Sequence, residues 1–120
     1  MAKILIIDDD ITVRIAIRTL LQKQGHEIAE ASNGIEGEER YKADPPDLII
    51  TDIMMPDKDG VETLLAIRSD LPEVKTIVIS GNAPEFLPIT EDLGAHRTIA
   101  KPFENQELLE AVETLLRAPE

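Results

Sequence analysis

Short aliphatic runs alternate along this chain with stretches in which apolar side chains recur every three or four positions. The runs are Ile4-Leu5-Ile6-Ile7, Leu48-Ile49-Ile50 and Ile77-Val78-Ile79, with weaker ones at 27–31 and 98–100. Continuous runs rich in β-branched residues, without strict alternation, predict parallel strands covered on both faces. Val13, Ile17, Leu20 and Leu21 fall at i, i+4, i+7 and i+8 and predict one helical face, closed by Gly25 at C′. Leu108, Leu109, Val112, Leu115 and Leu116 make a second face; Val61, Leu64 and Leu65 with Arg68 make a third, narrower one. A helix over 35–42 is weaker, because Gly37 interrupts it and Glu38 and Glu39 stand where a second apolar ridge would fall. Residues 82–93 contain Pro84 and Pro88. Pro84 can start a helix, but Pro88 inside it removes a hydrogen bond at about 3 kcal/mol, which predicts a short, late-starting or kinked element.

The pattern adds up to five strands alternating with five helices. That predicts an α/β fold: a doubly wound, five-stranded parallel sheet in the flavodoxin-like order 2-1-3-4-5, with helices on both faces. At 120 residues a single domain over 1–120 is expected. In such a sheet, ligands bind outside the carboxyl ends of the strands, so chemistry is sought there first.

Composition narrows the chemistry. The 24 acidic residues against 12 Lys plus Arg give a net charge of −12, which argues against direct binding of nucleic acid or of an anionic membrane surface. Only Tyr41, Phe86 and Phe103 are aromatic, so base stacking is disfavoured and the core is aliphatic. The absence of cysteine excludes disulfides, thiolate metal sites and thiol catalysis. Four apolar residues before the aspartates are too few for a signal-peptide core or a membrane span, and a cytoplasmic location is expected.

The predicted strand ends collect the polar residues. The first ends in Asp8-Asp9-Asp10, the third in Thr51-Asp52, the fourth in Ser80-Gly81-Asn82 and the fifth in Lys101-Pro102. Two negative charges ~4 Å apart repel by about 4 kcal/mol at an effective dielectric of 20. A cluster of such carboxylates calls for protons or a cation, and Mg²⁺ suits it because that ion needs few protein ligands. A metal, an anion-seeking lysine, a hydroxyl and a spare carboxylate together describe phosphoryl chemistry. Taken singly, the same residues read more simply: the aspartates as helix caps, Ser80 as a turn hydroxyl, Lys101 as a surface lysine. Their convergence on one rim is what favours a site. His26 and His96, in connections without a second metal ligand at useful spacing, read as surface histidines.

Asp8-Asp9 after an aliphatic strand, the run from Asp52 through Met54-Met55-Pro56 to Gly60, Ser80, and Lys101-Pro102-Phe103 resemble the receiver domain of bacterial two-component response regulators. The resemblance covers essentially the whole chain. It implies that Asp52 accepts a phosphoryl group from the phosphohistidine of a sensor histidine kinase or histidine phosphotransfer protein. It implies Asp9, Asp52 and the backbone carbonyl of Met54 as Mg²⁺ ligands, with Asp8 ligating directly or through water. Ser80 and Lys101 would engage the phosphoryl oxygens, and the Lys101–Pro102 bond would be cis. Self-catalysed phosphorylation and dephosphorylation at Asp52 belong to the same picture. Met54 and Asn82 stand where the family tunes phosphoryl loss; with Met54 unable to orient water, a phosphoryl lifetime longer than in fast-resetting chemotaxis-type members is expected.

Two departures stand out: Thr98 replaces the usual aromatic residue three before the lysine, and the stretch from Ser80 to Gly94 is one residue shorter than the family pattern. Both fall on the surface of helix 82–93, strand 98–100 and the last helix, which such domains use for output or for phosphorylation-dependent homodimerisation. The length leaves no room for an output domain, so a downstream protein, or an output domain fused beyond these residues, is expected to read the signal.

Two other functions compete. Asp8-Asp9-Asp10-Ile11-Thr12 also fits D-x-D-x-T, which resembles the first motif of haloacid-dehalogenase-type phosphatases, with Asp8 as nucleophile and Asp10 as general acid. That reading leaves Asp52 and its Met-Met-Pro run unexplained, and no acidic pair follows Lys101 at a strand end. A pseudo-receiver, a binding module that is never phosphorylated, is the third.

Overall fold

The computed structural model describes residues 2–52, 60–80, 91, 92 and 94–117. Five parallel strands, β1 (Lys3–Ile7), β2 (Glu27–Ala31), β3 (Leu48–Asp52), β4 (Lys75–Ser80) and β5 (Arg97–Ala100), lie in the order β2-β1-β3-β4-β5. Four helices are described: α1 (Ile11–Gln22), α2 (Gly34–Ala43), α3 (Gly60–Asp70) and α4 (Asn105–Arg117). Of the helix predicted over 82–93, only Glu91 and Asp92 fall among the described residues; Pro84 and Pro88 lie outside them.

The central strands β1, β3 and β4 are buried on both faces, as their unbroken aliphatic runs require. One face, from Ile4, Ile6, Leu48, Ile50, Ile77 and Ile79, receives Ile17 and Leu21 of α1 and Leu108, Val112 and Leu115 of α4. The other, from Leu5, Ile7 and Ile49, receives Tyr41 of α2 and Ile67 of α3. α2 forms despite its glycine because the glycine seats it: a Cβ on Gly37 would stand 2.5 Å from Ile7 Cδ1. Asn33 caps that helix by accepting the Glu36 N–H, and Glu36 in return accepts the Ser32 N–H.

Three expectations are corrected. Among the described side chains of α3 those buried are Thr63, Leu64 and Ile67, while Leu65 is exposed, since i+3 rather than i+1 continues the face turned to the sheet. Gly25 carries the positive φ of 89° one residue beyond C′, because Lys23 is the C-cap. His26 is half-buried rather than on the surface: its Nδ1 accepts the Ala2 N–H at 3.3 Å, and burial lowers its pKa. His96 is exposed, as expected. No helix among the described residues is long and apolar enough to cross a membrane.

Candidate functional site

Register brings the polar strand ends together. Ile7 pairs with Thr51, Asp52 with Ile79, and Ser80 with Ala100, so Asp8, Asp52, Ser80 and Lys101 close neighbouring strands along one rim. Lys101 continues the sheet by donating its N–H to the Ser80 carbonyl, and the Lys101–Pro102 bond is cis. Asp8 likewise extends β1, its N–H donating to the Ala31 carbonyl at 3.1 Å.

The three aspartates after β1 take three roles. Asp10 is the N-cap of α1, its carboxylate accepting the Thr12 N–H, so the capping reading holds for this residue. Asp8 is fully buried, with Oδ1 accepting the Asp10 N–H and Oδ2 accepting from Lys101. Asp9 is exposed at the mouth of the same crevice. Lys101 Nζ donates to Asp8 Oδ2 at 3.0 Å and to Asp52 Oδ2 at 2.8 Å, so one ammonium bridges two buried carboxylates.

Burial raises the pKa of Asp8; the Asp10 N–H and Lys101 work against that rise, and the charge of Asp52 adds to it. For Lys101, burial disfavours the charged form, but the hydrogen bonds and charges of Asp52 and Asp8 outweigh it and the pKa is raised. Ser80 is buried at the end of β4. Met54 lies outside the described residues.

One oxygen from each of Asp8, Asp9 and Asp52 lies within 4.8 Å of the others. The set fits Mg²⁺: all its donors are hard carboxylate oxygens, and Asp9 faces solvent, leaving room for the waters this ion keeps. Arg14 stands beside these aspartates with no motif to mark it. Its Nη1 donates to the Asp8 carbonyl at 2.6 Å and its Nε to Glu30 at 3.2 Å. The only sequence signal was a basic residue one turn into the helix after the aspartates, because Glu30 arrives from a separate strand.

The response regulator receiver domain family matches residues 4–113. The chain belongs to that family. The chemotaxis protein CheY of Bacillus subtilis is 37% identical over 116 residues, 95% of this chain and 97% of that protein. Sporulation initiation phosphotransferase F of the same organism is 30% identical over 95% of this chain and 93% of its own length. A solved receiver domain protein from Clostridium thermocellum superposes with a TM-score of 0.90 at 30% identity, covering 97% of this chain and 94% of that one.

This receiver domain is therefore of the regulatory type found in two-component signal transduction. Receiver domains generally bind Mg²⁺ through acidic residues and interact with histidine kinases or phosphotransfer proteins. Neither the phosphatase nor the pseudo-receiver alternative is favoured by these matches, and in the former the proposed general acid, Asp10, is engaged as a helix cap.

Proposed function

We propose that Asp52 is the phospho-accepting carboxylate of this receiver domain. The observation that carries the reading is Lys101 Nζ held at 2.8 Å from Asp52 and 3.0 Å from Asp8, with Asp9 beside them. Asp52 is 5% exposed. In the transfer, an Asp52 oxygen bonds to phosphorus as the N–P bond of a partner phosphohistidine breaks. The electron pair returns to the imidazole, which takes up a proton from solvent. Asp8, Asp9 and Asp52 would hold Mg²⁺ with the Met54 carbonyl, and the ion supplies positive charge against the transferring oxygens. Lys101 adds a second positive charge from the β5 side, and the Ser80 hydroxyl donates to the phosphoryl group once it arrives.

The similarity to a protein named as a phosphotransferase supports a histidine kinase or histidine phosphotransfer protein as donor. The matched span and the single five-stranded sheet support reading 1–120 as one receiver domain. Output would leave through β5, α4 and the segment before β5. There, Thr98 Oγ1 donates to Glu91 at 3.4 Å, a polar link where the family usually has an aromatic ring.

The test is incubation with Mg²⁺ and a small phosphodonor, followed by borohydride trapping and mass spectrometry. Label at Asp52 that vanishes in Asp52→Asn supports the assignment. Label at Asp8 would instead support the phosphatase, and none would support the binding module.

A further inference from the structure

We propose that Arg14 is a positioning residue for the carboxylate site: by holding the peptide that joins Asp8 to Asp9, it fixes the two carboxylates for a divalent cation. The inference rests on the metal-binding part of the proposed function and names a residue that does not itself touch the metal.

The Asp8 carbonyl belongs to the planar peptide unit whose other end is the Asp9 nitrogen. With the Asp8 nitrogen tied to β2, a turn about ψ of Asp8 moves this carbonyl and swings the Asp9 Cα, with its side chain, relative to Asp8. Arg14 Nη1 grips the carbonyl at 2.6 Å and resists the turn. The preceding peptide is tied to β2 through the Asp8 N–H and the Ala31 carbonyl. Arg14 is in turn aimed by Glu30, at 3.2 Å from its Nε, and Arg18 holds the other oxygen of Glu30 at 2.6 Å. The Arg14 side chain is 13% exposed, which makes its geometry better defined than that of an ordinary surface pair. Two edges of one planar guanidinium thus join α1, the end of β1 and β2, a geometry the single point of a lysine ammonium does not reproduce. Mg²⁺ demands near-octahedral ligands, so slack at Asp8 and Asp9 weakens binding.

Charge and positioning predict opposite signs. As a neighbouring cation, Arg14 opposes Mg²⁺, so if charge were its only influence, Arg14→Gln would tighten binding and Arg14→Lys would leave it unchanged. As a positioning residue, its loss weakens binding in both variants, by about 10-fold or more, as is typical when a group orienting a metal ligand is removed. Arg18→Gln removes a comparable charge from Glu30 without touching the carbonyl and should leave affinity within about 2-fold of wild type.

The measurement is a Mg²⁺ titration of the full chain followed by amide chemical shifts, with phosphodonor labelling of Asp52 as a second readout. In Arg14→Lys, labelling should recover at excess Mg²⁺, which a general loss of structure would not permit. Unchanged or tighter binding in Arg14→Gln overturns the positioning role alone. A wild-type chain that binds no Mg²⁺ overturns the metal reading and the positioning role with it. If the Arg14 variants unfold, Glu30→Asp, which keeps the charge but shortens the reach to the arginine and loosens its aim, carries the test: a several-fold loss of affinity supports the role, and no loss overturns it.

Discussion

Lys101 donates to Asp52 at 2.8 Å across the carboxyl edge of the sheet, and the same nitrogen holds Asp8 at 3.0 Å. The lysine side chain keeps 20% of its exposure, while the carboxylates keep 0% and 8%. Removing the ammonium leaves two buried like charges facing one another. Lys101→Met should therefore lose roughly 2–4 kcal/mol of folding stability without divalent cations, somewhat less than a fully buried pair would lose. Added Mg²⁺ should restore part of that loss and stabilise the variant more than the wild type, because the ion replaces the missing charge. Urea denaturation with and without Mg²⁺ reads both effects; equal stabilisation of the two proteins would contradict them.

Asp8 bears the opposite cost. Burial raises its pKa above the ordinary 3.8, so the folded state holds this proton more tightly than the unfolded chain does. The stability linked to that proton is complete below pH 3.8 and is lost as pH rises through the elevated folded value. Asp8→Asn, which imitates the neutral acid, should raise the melting temperature at pH 7. The advantage should shrink as pH falls toward the ordinary carboxylate value. A melting temperature lowered at pH 7 would show that the pairing with Lys101 outweighs the burial.

Gly37 sets how closely α2 approaches the sheet. Alanine there would gain about 1 kcal/mol of helix propensity, but its Cβ would meet Ile7 Cδ1 at 2.5 Å in a fully buried contact. Overpacking typically costs 1–3 kcal/mol, so Gly37→Ala should be destabilising by about 1 kcal/mol net. In an Ile7→Val background, which removes that methyl, the penalty should largely disappear. A double-mutant cycle by chemical denaturation measures the coupling, and strict additivity would remove close approach as the reason for the glycine.

What was readable in the sequence follows the physics of each feature. β1, β3 and β4 announced themselves because burial on both faces leaves unbroken aliphatic runs, and the sheet order followed from the alternation of elements. Asp8, Asp9, Asp52 and Lys101 were legible as a group because strand ends of a parallel sheet converge on one rim. The division of labour among Asp8, Asp9 and Asp10 was not, since burial, exposure and capping differ between adjacent residues only once the turn is formed. Arg14 was invisible because its partners, the Asp8 carbonyl and Glu30, meet it only when α1, β1 and β2 pack. Leu65 misled because in a helix carrying several leucines, periodicity alone does not choose between neighbouring positions.

Thr63 sits in α3 at 1% exposure, and its Oγ1 has no hydrogen-bond partner among the described residues. A buried hydroxyl without a partner costs about 1–3 kcal/mol of desolvation, whereas valine fills the same volume with a methyl group. Thr63→Val should raise stability by about 1 kcal/mol, or roughly 3–5 °C in melting temperature for a chain of this size. Thr63→Ala removes the hydroxyl together with the methyl, so the cavity it opens should offset the gain and leave that variant less stable than Thr63→Val. Thermal melts of the two variants separate the polar contribution from the packing one. Destabilisation by valine would mean that the hydroxyl is satisfied, and that α3 owes part of its hold on the sheet to a hydrogen bond rather than to burial.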